Sequence, residues 1–140
     1  MLGMGVKEAV RILVLRRLVN DSVTLSILEM ALLKNMSPSE ISMALGVKRS
    51  YVKSNVYVFV KVAGDHFKAT ALLRKALPVV MGVNPVILNM AGRMYRCKLC
   101  SKDFSVSLRD VQSRLNHVKQ AHRDIVDKYV NSVIEAISRG

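Results

Sequence analysis

The stretch Ser37–Val62 reads SPSEISMALGVKRSYVKSNVYVFVKV, and its punctuation decides how the chain is built. Ser37 is a good helix N-cap, Pro38 suits the first helical position, and Glu40 stands three residues after the cap, where it can close a capping box. A short helix with Ile41 and Leu45 on one face is expected, broken at Gly46, because a tight turn between helices needs a residue tolerant of positive φ. A basic segment, Lys48-Arg49-Ser50-Tyr51-Val52-Lys53, then starts a second helix. On a helical projection Val52, Val56, Phe59 and Ala63 share one side, and Ser50, Lys53, Ser54, Tyr57 and Lys61 the other. Tyr51, Val58 and Val62 add a second apolar flank, which asks for cover from another helix or a partner chain. The run Val56–Val62 is rich in β-branched and aromatic residues, so a short strand is the alternative.

Outward from this stretch the totals are informative. The chain has 140 residues, 51% of them apolar, enough for one modest domain or two small ones sharing a core. Charges interrupt the first helix and prolines the apolar run 76–91, so a membrane span is not expected, nor is a signal peptide. Lysine and arginine number 22 against 10 acids, for a net charge of +12. Residues 1–90 hold 12 bases and 5 acids, residues 91–140 hold 10 and 5. Two basic halves, rather than one basic tail, point to a polyanionic partner.

Residues 4–19 form a helix apolar on most sides, which more than one neighbour must cover, a second subunit being one option. Asp21 or Ser22 caps the next helix, Val23–Lys34, and Asn35 is a left-handed terminator. Asp65 caps a helix from His66 to Leu77, which Pro78 stops. Residues 79–92 (VVMGVNPVILNMAG) are expected to be an apolar linker with a short helix at Pro85. The domain division is thus 1–78, linker 79–92, and 93–140.

Beyond Gly92 the texture changes. Cys97 and Cys100 stand in a short alternating, hairpin-like segment, Tyr95–Val106. A helix follows, with Ser107 as its cap, carrying His117 and His122. Two thiolates and two imidazoles suit a tetrahedral zinc ion, and a disulfide between such near neighbours would be strained. One structural Zn2+ held by Cys97, Cys100, His117 and His122 is therefore expected, in a reducing, cytoplasmic interior. An (i, i+5) histidine pair does not face one way on an ideal helix, so a distortion is expected there. Apolar residues from Leu108 through Val111, Leu115, Val118, Ile125 and Tyr129, with Val126, Val130, Val133 and Ile137 beside them, extend the helix to about Ser138. That extension packs on the first domain or pairs with a second subunit. His66, the remaining histidine, is read as structural or exposed.

Residues 97–122 resemble the two-Cys, two-His zinc finger, with Phe104 matching its aromatic core residue. Arg114 stands where that family has a leucine, leaving Val111 or Leu115 to fill the role. The resemblance places the base-reading positions on Asp110, Gln112, Ser113 and Asn116. Residues 22–63 resemble a helix-turn-helix, with Ser42 at its small-residue position, Gly46 at the turn, and Val47, Val52 and Val56 in its core. Together the two resemble the small transcription factors of archaea and their viruses that join a helix-turn-helix to one finger. What this implies is a mostly α fold: a multi-helix domain, then a ββα finger whose helix runs to the C-terminus. It implies sequence-specific binding to double-stranded DNA as a transcriptional regulator, with a homodimer as a further option. Lys48, Arg49, Ser50, Lys53 and Ser54 would reach bases or phosphates, and Tyr57 and Lys61 the backbone. The alternative is a protein-interaction or assembly factor with nonspecific nucleic-acid binding. An enzyme is not expected, nor a small-molecule substrate: four protein ligands close the metal site, and no catalytic set gathers near it.

Overall fold

Helix α1 (Met4–Leu18) runs through the middle of the molecule, and its composition explains why. Ala9, Val10, Leu13, Val14, Leu15, Leu18 and Val19 are all buried, more than one amphipathic stripe could hide. Five other helices cover it. A computed structural model describes residues 4–107 and 110–139 of the chain. Besides α1, these comprise α2 (Ser22–Leu28), which runs on through a π turn at Glu29–Leu33, α3 (Pro38–Leu45), α4 (Arg49–Ala63) and α5 (His66–Met81). Strands β1 (Ile87–Met90), β2 (Met94–Cys97) and β3 (Asp103–Phe104) follow, then α6 (Val111–Ala121) and α7 (Arg123–Arg139).

The caps fall where the residue types place them. The Asp21 carboxylate accepts from the Thr24 amide at 3.1 Å, and Asp65 from the Lys68 amide at 2.8 Å. Ser37 and Glu40 close the full capping box, at 3.2 and 2.9 Å. Asn35 adopts φ 53° after the π turn. Gly46 stands at φ 68°, a left-handed residue between α3 and α4, and the Ser42 hydroxyl donates to the Val47 carbonyl across the turn. α4 is helical throughout, so the strand alternative does not hold. A small core of Ile27, Ile41 and Val52 joins α2, α3 and α4. Of α4's second flank, Tyr51 and Val62 are half-buried and Val58 stays exposed.

Three expectations need correction. Pro78 does not stop α5, which continues to Met81. The proline forfeits one amide bond in the last turn, but burial of Leu77 and Val80 carries the helix on. Arg17 also holds the end of this segment, donating to the Val83 and Met81 carbonyls at 2.7 and 3.1 Å. The stretch after Asn84 is extended, not helical. Ile87–Met90 pairs antiparallel with β2, Ile87 opposite Cys97, and β2 pairs with β3, Tyr95 opposite Phe104. The sheet order is β1-β2-β3, so the small C-terminal sheet has a third strand drawn from the expected linker.

The C-terminal helix, finally, is not continuous. α6 ends at Ala121, His122 leaves helical geometry at φ −128°, ψ 39°, and α7 restarts at Arg123. The expected distortion between the histidines is thus a full break. Asp110 stands at the N-cap position of α6, and Leu108, next to the expected cap Ser107, lies outside the described residues. The apolar stripe of α7, Val126, Val130, Val133 and Ile137, is buried within the chain, where α7 packs on α1 and α5. Arg11 on α1 pairs with Asp127 on α7 at 2.9 Å.

Candidate metal centre and the exposed strip of α4

The end of β2 delivers Cys97 into the interior, while Cys100 follows on an exposed turn. That turn is built from backbone: the Ser101 amide donates to the Cys97 carbonyl at 2.7 Å, the Cys97 amide to Lys102 at 2.9 Å, and Ser101 takes φ 65°. His117 comes from the last full turn of α6, and His122 from the break after it. The break solves the spacing problem, because it turns the second imidazole back toward the first. Their rings stand edge to face with centroids 4.9 Å apart.

Cys97 Sγ lies 3.4 Å from His122 Nε2, and Cys100 Sγ lies 3.3 Å from His117 Nε2. All four ligand atoms fall within 4.8 Å of one another. With metal–sulfur bonds near 2.3 Å and metal–nitrogen bonds near 2.0 Å, a tetrahedron has S···N edges of roughly 3.5 Å. The donors and their spacing therefore fit one metal ion held by these four residues. Burial pushes the Cys97 thiol up, opposed by the amides of Leu99 and Cys100, which hydrogen-bond its sulfur. Burial, then the neighbouring His122 and Lys102, pushes His117 down, a shift that favours the neutral ring. Phe104 packs 5.4 Å from the His117 ring. His66 is exposed on the first turn of α5 and belongs to no such cluster among the described residues.

Both Val111 and Leu115 are buried, as their role in the small core requires. Arg114 between them is also buried, at 3% exposure, and this is the feature the sequence reading missed. Its guanidinium lies 4.1 Å above the Tyr95 ring, and Nε donates to the Val19 carbonyl at 3.1 Å. The end of α1 thus receives two donors from the C-terminal part of the chain, since the Val86 amide also bonds the Leu18 carbonyl at 2.9 Å. The available signal was positional: Arg114 sits within an apolar stripe that a solvated charge would avoid.

Lys48, Arg49, Ser50, Lys53, Ser54, Tyr57 and Lys61 are all exposed along α4 and its N-terminus. Arg49 donates to the Ser39 hydroxyl at 3.3 Å, and Lys61 stands 5.7 Å from the Tyr57 ring centroid. Among the finger positions, Gln112, Ser113 and Asn116 are exposed, Gln112 donating to Asn116 at 2.9 Å. Asp110 is half-buried and engaged by the Ser105 amide at 2.9 Å, so it serves the loop before α6. No protein-family model matches the chain, and no curated protein or solved structure matches it.

Proposed function

We propose that the protein is a sequence-specific double-stranded DNA-binding regulator of transcription, reading DNA with α4 and stabilised by one structural zinc ion. The observation that carries this is the exposed strip of α4. A capped helix and a left-handed glycine turn present a second helix whose outward face is Arg49, Ser50, Lys53 and Ser54. Arginine and lysine at the start of such a helix suit guanine edges and phosphates, and the serines suit either. The net charge of +12 supports a polyanionic partner. Zinc is the metal that two thiolates and two imidazoles in a closed tetrahedron fit best, and with four protein ligands its part is to hold the fold. Exposed Gln112, Ser113 and Asn116 are secondary contact candidates, because a single finger spans only about three base pairs.

A duplex selected from a random pool tests this reading. Arg49→Ala with Lys53→Ala lowers affinity for that duplex more than tenfold in a shift assay at matched salt. Undiminished binding would remove α4 from the interface. A second reading, an interaction or assembly factor, is favoured by one surface: Tyr57 is 63% and Val58 50% exposed. Tyr57 borders a groove of about 380 Å³ lined also by Met36, Pro38, Val56 and Val60. Equal affinity for every duplex, with a steep salt slope, would favour that reading.

A further inference from the structure

Arg114, which docks the metal-bearing unit onto the end of α1, and Tyr95, whose ring carries its guanidinium, each stand close in sequence to a metal ligand. Tyr95 stands two residues before Cys97 on β2, and Arg114 stands one turn before His117 on α6. A metal drawing Cys97 and His117 together therefore also sets the distance between the Tyr95 ring and the Arg114 guanidinium. That contact matters because Arg114 is almost wholly buried, and its Nη1 meets no hydrogen-bond partner among the described residues. A buried cation is costly. Here the ring face of Tyr95 and the Val19 carbonyl just past α1 offset that cost, with the Asp21 and Asp110 carboxylates also favouring the cation.

Val19, which receives Arg114, leads directly into the corner between α1 and α2. Asn20 turns the chain at φ 63°. Asp21, 3% exposed, binds Arg16 at 2.9 Å with one oxygen and the Thr24 amide with the other. The Thr24 hydroxyl lies 3.5 Å from the Tyr51 hydroxyl, and Tyr51 is the third residue of α4, between Ser50 and Lys53. A run of buried and part-buried contacts thus leads from the metal ligands to the start of the exposed strip.

We infer that Arg114 is a positioning residue through which the metal centre sets the placement of α4, so that DNA affinity depends on metal even where the finger touches no base. This rests on the reading of α4 as the DNA-contacting helix. It commits to coupling between two sites, which only a change at one site on perturbing the other can demonstrate.

The test uses the full chain as wild type, Arg114→Met and Arg114→Lys, each with zinc and after chelation. Three quantities are read: hydrogen exchange of peptides within residues 22–63, affinity for the selected duplex, and the visible spectrum of the cobalt-loaded protein. In the wild type, chelation speeds exchange in 22–63 and weakens duplex binding at least fivefold. Arg114→Met keeps the tetrahedral cobalt spectrum, yet its exchange in 22–63 no longer responds to metal and its affinity is low in both states. Arg114→Lys, which retains the cation, recovers part of the response. Should Arg114→Met lose the cobalt spectrum, Tyr95→Leu removes the platform with Arg114 intact and is read the same way. Wild-type exchange in 22–63 that ignores zinc overturns the inference, as does zinc-loaded Arg114→Met with wild-type exchange and affinity. Loss of affinity on Gln112→Ala with Asn116→Ala, together with full affinity in Arg114→Met, puts the finger itself on DNA and also overturns it. If zinc shifts exchange in 22–63 while Arg49→Ala with Lys53→Ala leaves binding intact, the coupling stands and the DNA-reading role of α4 falls.

Discussion

Gly5 shows how closely α1 and α4 approach, and replacing it sets two effects of opposite sign against each other. A Cβ built on Gly5 would lie 2.7 Å from the Val62 carbonyl oxygen, against 3.4 Å at the near limit of ordinary contact, a shortfall of 0.7 Å. The obstacle is backbone at the end of α4, which cannot rotate aside as a side chain would. Alanine gains helix propensity over glycine, about 0.5–1 kcal/mol in a helix interior and less in the first turn, where Gly5 sits. Overpacking a close contact costs about 1–3 kcal/mol. Overlap wins, and Gly5→Ala should destabilise the protein by about 1–2 kcal/mol, a fall of roughly 3–8 °C in Tm for a chain of this size. Circular dichroism melts of the zinc-loaded protein, paired with urea titrations at constant slope, would measure it. A variant as stable as wild type, or more so, would refute the close approach of α1 and α4.

Three further outcomes follow from the caps and the metal ligands. Ser37→Ala removes the oxygen that accepts the Glu40 amide and should cost about 1 kcal/mol in urea denaturation, while Ser39→Ala, lacking that role, changes stability little. The Ser37 amide also holds the Glu40 carboxyl below its ordinary value, so this support is present above pH 4.5 and is lost as pH falls through the lowered folded value. Zinc loading at pH 7 should release about two protons, because thiols must ionise to ligate. Calorimetry in buffers of differing ionisation enthalpy measures this, and release well below one proton would remove the thiolates from the coordination shell.

What the sequence made legible was mostly local chemistry. Asp21, Ser37 with Glu40, Gly46 and Asp65 each act through a bond or a dihedral within a few residues of themselves, so residue type nearly determined them. The metal cluster was legible because cysteine and histidine are rare here and four of the five fall within residues 97–122. The missed features depend on distant partners. Ile87-Leu88-Asn89-Met90 has no apolar alternation and is a strand because β2 pairs with it and Ile87 is buried. Pro78 was read by its local effect, but burial of Leu77 and Val80 outweighs one lost hydrogen bond. Arg114 could be seen to be misplaced for a charge, but not that Tyr95 and Val19 would receive it.

The same distinction bears on whether a second subunit is needed. The sequence suggested one because α1 and α4 each carry more apolar surface than one neighbour hides, and because the extension of the C-terminal helix has to pack on the first domain or on a second subunit. Within the chain α1 is enclosed, and the stripe of α7 is buried against α1 and α5. Those two faces therefore give no ground for a partner. Apolar surface remains exposed at Tyr57 and Val58 on α4 and at Phe67 on α5, 81% exposed. Tyr57 shares the outward side of α4 with Lys53 and Lys61, and Val58 lies beside Tyr51 and Ser54 on the next flank, so a subunit covering them would crowd the proposed DNA surface. A dimer that leaves α4 free would have to form elsewhere, and Phe67, beside Val6, Leu72 and Ile137, is the exposed aromatic that lies off that strip. Duplex binding that stays first order in protein, with one α4 strip per site, is what the enclosure of α1 and α7 by itself favours.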